Sequence, residues 1–111
     1  MKPEKILSFI MPIHNPHPIV FPKVLKALID QSLKNWEFIG VIDGDFPEAE
    51  KEIHKAFKKS AIHYKVVNLP HGGAQRARNE GFARSVGDYV VFFDSDCIIE
   101  PGTAKAWYDI F

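Results

Sequence analysis

Asp94 and Asp96 lie two positions apart, directly after the apolar run Tyr89-Val90-Val91-Phe92-Phe93. Two carboxylates at that spacing form a hard-oxygen donor pair for Mg²⁺ or Mn²⁺. An isolated D-x-D is an ordinary solvated turn, so its position carries the argument. Other polar groups fall at equivalent places. His14 and Asn15 come after the run Ile6–Met11, and Asp43, Gly44 and Asp45 close the run Trp36–Asp43. Asn68, His71, Gly72 and Gly73 come after Ile62–Val67. In open parallel sheets ligands bind at the carboxyl ends of the strands, so these groups are expected to converge. A nucleoside diphosphate beside two carboxylates meets repulsion of about 4 kcal/mol per close pair at an effective dielectric near 20. A divalent cation reverses that sign and, as a Lewis acid, stabilises charge on a departing diphosphate.

The intervening segments must position these residues. Ile6–Met11 reads as a strand buried on both faces that stops at Pro12. Phe21, Val24, Leu25, Leu28, Ile29 and Leu33 repeat with helical period. WEFIGVID, residues 36–43, is a second apolar strand. Pro47 then opens a helix with Glu48, Glu50 and Glu52 early and Lys55, Lys58 and Lys59 late, matching the helix dipole. Ala49, Ile53, Ala56 and Phe57 form its apolar stripe. Residues 62–67 make a third strand, and 74–85 a helix in which Ala77 and Gly81 give a smooth face for close packing. Residues 89–93 are the fourth and clearest strand, and Ala104, Trp107, Tyr108 and Phe111 resume helical spacing after Pro101. Strand and helix alternate four times, which predicts an α/β domain: a parallel sheet with helices on both faces.

Composition limits the alternatives. The 111 residues carry 14 Lys plus Arg and 14 Asp plus Glu, so the net charge is zero. That balance offers no field for nucleic acid or an anionic membrane surface. Apolar residues make up 46%, enough for one buried core. No apolar run approaches a membrane span, and the run after Met1–Lys5 is too short for a secretory signal. One cysteine, Cys97, excludes an internal disulfide and a multi-cysteine zinc site, and is read as a small packed residue. His63 and His71 lack metal-ligand spacing and are read as surface residues. A cytoplasmic single domain is expected. No G-x-G-x-x-G follows the first strand and no G-x-x-x-x-G-K-[ST] occurs, which argues against dinucleotide and P-loop folds.

The segments Met11–Asn15, Leu28–Leu33, Trp36–Gly44, Gly73–Gly81 and Gly87–Asp96 occur in an order and spacing that resembles the nucleotide-sugar-binding half of family 2 glycosyltransferases. The resemblance implies the GT-A fold, a Rossmann-like four-stranded parallel sheet of order 3-2-1-4. It implies a metal-dependent enzyme of polysaccharide biosynthesis that moves a sugar from a nucleotide-sugar, with UDP as nucleotide, to an acceptor hydroxyl with inversion. By position, Asp43 matches the acid that accepts from the nucleobase, and Pro12, His14 and Asn15 the strand end along the base. Asp94 and Ser95 match the ribose side, Asp94 and Asp96 the metal ligands, and Arg78 and Asn79 the helix below the donor. Ile42, His14 and Asp45 depart from common family residues and bear on base preference.

Several residues keep a second reading. Arg76 and Arg78 also fit exposed helix charges paired with Glu80 or Asp88. Asp43 also fits a cap on the following turn. Trp107 and Tyr108 read as packing groups. Two other functions compete: a nucleotidyltransferase-like domain, which lacks its basic Gly-rich loop here, and a non-catalytic Mg²⁺-binding interaction module built on Asp43 and Asp94. Phe111 lies 15 positions after Asp96, so no catalytic base is nominated. The chain is expected to be a truncated domain, pairing with an absent C-terminal half or self-associating through the aromatic stripe 104–111.

Overall fold

The computed structural model describes residues 5–110. Strand and helix alternate throughout: β1 (Leu7–Ile13), α1 (Val20–Ile29), β2 (Trp36–Asp43), α2 (Pro47–Phe57), β3 (His63–Leu69), α3 (Ala74–Arg84), β4 (Tyr89–Phe92) and α4 (Thr103–Ile110). All pairings are parallel and the strand order is β3-β2-β1-β4. This is the expected order and fold class.

The period of two on the central strands assigns each helix its face. Leu7, Phe9, Met11 and Ile13 of β1, with Trp36, Phe38 and Ile42 of β2, join one core with Phe21, Val24, Leu25 and Leu28 of α1 and Ile53 and Phe57 of α2. Ile10, Ile39 and Val41 face the other way, against Ala77 of α3. Helix α3 lies close because its contact face is small: Ala77 is buried, and Gly81 rests on Ile10 and Val41.

The same face of β2 carries an acid at each end of α3. Glu37 Oε2 accepts the Val86 N–H at 2.7 Å, just past the helix. Asp43 accepts the N–H groups of Gly72 and Gly73 at 2.7 and 3.1 Å, just before it. Ser8 Oγ donates to Glu37 at 2.6 Å and accepts from the Gly87 N–H at 2.9 Å. Burial pushes the Glu37 carboxyl up, but the Ser8, Val86 and Lys65 contacts outweigh it and hold it below the usual carboxylate value.

Several expectations are corrected. Strand β1 runs through Pro12 to Ile13, and Pro12 pairs with Val41. The Ile6 and Ile10 carbonyls face β4, so by alternation the Pro12 nitrogen does too. The ladder to β4 ends at the Ile10–Phe92 pair, so no bond needs the missing N–H. Strand β3 is shifted to His63–Leu69. Helix α1 ends before Leu33, which still packs against the core. Strand β4 stops at Phe92, one residue short of the expected run, and its edge position leaves Tyr89 and Phe92 about half exposed. Among the described residues only β1 flanks it, and α3 covers β1 and β2 instead.

The last helix packs onto the core. Gln31, fully buried at the end of α1, donates to the Ala27 and Glu100 carbonyls and accepts the Ala104 N–H at 2.9 Å. That amide clamps the start of α4 and fixes the loop after Asp94–Asp96. Trp107 meets Phe9 at 5.9 Å, and Lys5 lies over the Tyr108 ring. The stripe expected to be bare is therefore half-buried through Trp107 and Tyr108; Phe111 lies outside the described residues.

Candidate functional site

A cavity of about 150 Å³ opens at the carboxyl ends of the strands, lined by Pro12, Ile13, His14, Asp43, Ala74, Asp94 and Ser95. Three strand ends and the start of α3 thus meet around one space. Larger hollows occur elsewhere. One of about 440 Å³ lies at the opposite end of the sheet beside Ile6, Trp36 and Glu37, and one of about 260 Å³ lies between α1 and α2. Their walls are mainly apolar, and the Glu37 carboxylate is already held by Ser8, Val86 and Lys65. Convergence of polar groups, not volume, selects the strand-end cavity.

Asp43 is the fixed point of that cavity. Its side chain is 4% exposed, and its carboxylate accepts Gly72 N–H, Gly73 N–H and, at 2.9 Å, His71 Nδ1–H. Burial pushes the Asp43 carboxyl up, yet the two backbone donors and His71 hold it below the ordinary value. Gly73 has φ +98°, a left-handed conformation that glycine adopts without strain, and this aims its N–H at Asp43. Asp43 does not cap the turn that follows it; its carboxylate instead holds the β3–α3 turn, and the residue also lines the cavity.

His14 leaves β1 and donates Nδ1–H to the Asp43 carbonyl at 2.8 Å. Asn15 follows at φ 45°, a turn that asparagine tolerates, and directs the chain away. The His14 and His71 rings stack at 4.4 Å between centroids. His71, one of the strand-end groups expected to converge but read as a surface residue, also reaches this site. The turn between β3 and α3 brings it to Asp43 across 28 positions, and only its adjacency to Gly72-Gly73 hints at this.

Asp94 and Ser95 are on the cavity wall, whereas Asp96 is exposed on the following turn. Among the described residues neither the Asp94 nor the Asp96 carboxylate is held by a hydrogen bond or ion pair. Unclaimed hard-oxygen donors on one turn suit Mg²⁺ or Mn²⁺, which keep several waters and add few protein ligands. Arg78 is half-buried one turn along α3 from Ala74, with no side-chain partner among the described residues. It and Asn15 lie outside the cavity wall. Asn68 points away, donating to Glu50 on α2. Arg76 donates to the Pro70 carbonyl, while Glu80 pairs with Arg84 and Asp88 accepts the Ile6 N–H, so the expected arginine pairings do not form. Cys97 is exposed, not packed, because it follows the turn that its N–H closes onto Asp94.

A parallel sheet of this order, with acids at its carboxyl edge, defines a doubly wound α/β domain. The family model for glycosyl transferase family 2 matches residues 8–109, and the chain belongs to that family. Glycosyltransferase GlyA of Streptococcus pneumoniae is 32% identical over 102 residues, 92% of this chain and 14% of GlyA. The structure of S. aureus TarS superposes with a TM-score of 0.83 at 26% identity, over 93% of this chain and 19% of TarS, which gives the GT-A fold. TarS 1-349 has been solved in complex with UDP-GlcNAc, and at 25% identity it matches 93% of this chain and 30% of its own. The chain spans between 14% and 37% of the first three relatives it matches. Among the described residues no helix is long and apolar enough to cross a membrane.

Proposed function

We propose that this chain is the donor-binding part of a metal-dependent glycosyltransferase that takes a UDP-sugar and transfers its sugar to an acceptor hydroxyl with inversion. The observation that carries this reading is the shared wall of Asp43, Asp94 and Ser95 at the strand ends. The complexes of TarS 1-349 with UDP and UDP-GlcNAc support the nucleotide class. The cavity of about 150 Å³ is roughly tenfold the ~15 Å³ that one water needs, room for a ring-sized group. The base enters beside Pro12 and His14, and Asp43 accepts its N–H. The ribose lies by Asp94 and Ser95, and the diphosphate lies over the exposed turn. Arg78, a free cation one turn along α3, approaches the donor from below.

Asp94 and Asp96 would hold Mg²⁺ or Mn²⁺, which supplies charge neutralisation on the leaving diphosphate. Asp43 stays ionised at neutral pH because its three donors favour the charged form. The general base and the acceptor pocket come from polypeptide beyond these residues, in the same chain or a partner. The exposed, unpaired Cys97 supports a reducing, cytoplasmic setting.

A thermal-shift panel with Mn²⁺, UDP and GDP, alone and combined, tests the reading. Mn²⁺ with UDP is expected to raise Tm more than either alone, and Asp96→Ala to abolish the added shift. Stabilisation by metal alone, with no further effect of nucleotide, points instead to a metal-binding interaction module.

A further inference from the structure

We propose that His14, Asp43 and His71 form a second metal site, for a borderline transition ion such as Zn²⁺ or Co²⁺, distinct from the Asp94–Asp96 pair. One donor atom from each of the three lies within 4.8 Å of the others. The chemistry differs from that of the acid pair: two imidazoles and one carboxylate suit Zn²⁺, Co²⁺ or Ni²⁺ rather than Mg²⁺. A tetrahedral ion with bonds near 2.05 Å spaces its ligand atoms about 3.3 Å apart. His71 Nδ1 is 2.9 Å and His14 Nδ1 4.0 Å from Asp43 Oδ2, so the present separations bracket that value.

The carboxylate is already held as a ligand should be. Gly72 and Gly73 N–H groups fix its orientation from behind, the support that ligating carboxylates need. The histidine side chains are 52% and 63% exposed, so the rings can turn without disturbing the core. Each neutral ring moves its proton from Nδ1 to Nε2, presenting the Nδ1 lone pair to the ion; no proton is gained or lost. The ion then replaces the His71–Asp43 carboxylate bond, the His14 bond to the Asp43 carbonyl is given up as that ring turns, and Oδ2 keeps the Gly73 donor. Asp43 and His14 also line the nucleotide cavity, but the site's test requires no nucleotide.

The test is a Co²⁺ titration of untagged protein followed by visible absorption, repeated on His14→Ala/His71→Ala and on Asp94→Asn/Asp96→Asn. The native protein and the aspartate variant are expected to show the intense bands of low-coordinate Co²⁺. The histidine variant is expected to bind on the order of tenfold or more weakly. Zn²⁺ added to the native protein is expected to shift the ring-proton NMR signals of two of the five histidines, those of His14 and His71. This second readout needs no variant. Bands no stronger than those of the hydrated ion, equal affinity in the histidine variant, or unshifted His14 and His71 signals would overturn the proposal.

Discussion

Replacing Gly81 by alanine sets two known magnitudes against each other. At an open helix position the change stabilises by about 1 kcal/mol through helix propensity. Here a Cβ would stand 2.5 Å from Ile10 Cγ2 and 3.1 Å from Val41 Cγ2. Carbon contacts settle near 3.5 to 4.0 Å, so α3 must lift from the sheet by about 1 Å. Ile10 cannot yield: it is fully buried, β-branched, and on a strand flanked by β2 and β4. Lifting α3 also loosens Ala77 and draws the Gly72, Gly73 and Val86 amides away from Asp43 and Glu37. Overpacking costs about 1 to 3 kcal/mol, and the added loosening places this site at the upper end. The net loss is about 2 kcal/mol, a fall in Tm of about 10 °C. Scanning calorimetry reads it, with Gly102→Ala as the control because nothing lies within 4 Å of a Cβ there. A rise in Tm for Gly81→Ala would refute the close seating of α3.

Gln31→Ala strands the buried Ala104 N–H at about 1 to 3 kcal/mol, while the Glu100 carbonyl keeps the Thr103 N–H; urea unfolding is expected to show a loss of about 2 kcal/mol. The acid limb of stability follows from Glu37 and Asp43, whose carboxyls both sit below their usual values. Their contribution is complete above the unfolded carboxyl range of about pH 4 to 4.5 and is lost as pH falls through the lower folded values. Stability is therefore expected to be level from pH 7 to about 5 as far as these acids set it, and to drop below about pH 4. Glu37→Gln is expected to be less stable at pH 7 and to show a shallower acid decline. An unchanged acid limb in that variant removes Glu37 from the account.

The parts of the fold that were readable from sequence are those set by one-dimensional periodicity. The apolar run of β2 and the small face of Ala77 and Gly81 appear as read, and β1 and the α1 stripe appear with shifted ends. What escaped depends on neighbours in space. Pro12 belongs to β1 only because β4 is too short to reach it. The apolar content of β4 suggested burial, but its edge position leaves Tyr89 and Phe92 half exposed. At the site, Asp43, Asp94 and His14 were legible because they lie at strand ends, where the fold itself aims them. His71 also lies past a strand end, but its pairing with Asp43, 28 positions away, has no periodic signal. Glu37 escaped for the same reason: its meaning rests on Ser8 and on Val86, 49 positions away.

The most direct measurement is amide NMR of the protein titrated with UDP in Mg²⁺, which leaves signals unbroadened. If the strand-end cavity holds the nucleotide, the largest shifts are expected at Gly44, Gly72, Gly73 and Ser95, around Asp43 and Asp94. Shifts confined to the α1–α2 groove or to the Glu37 end of the sheet, with those four amides unmoved, would contradict the account.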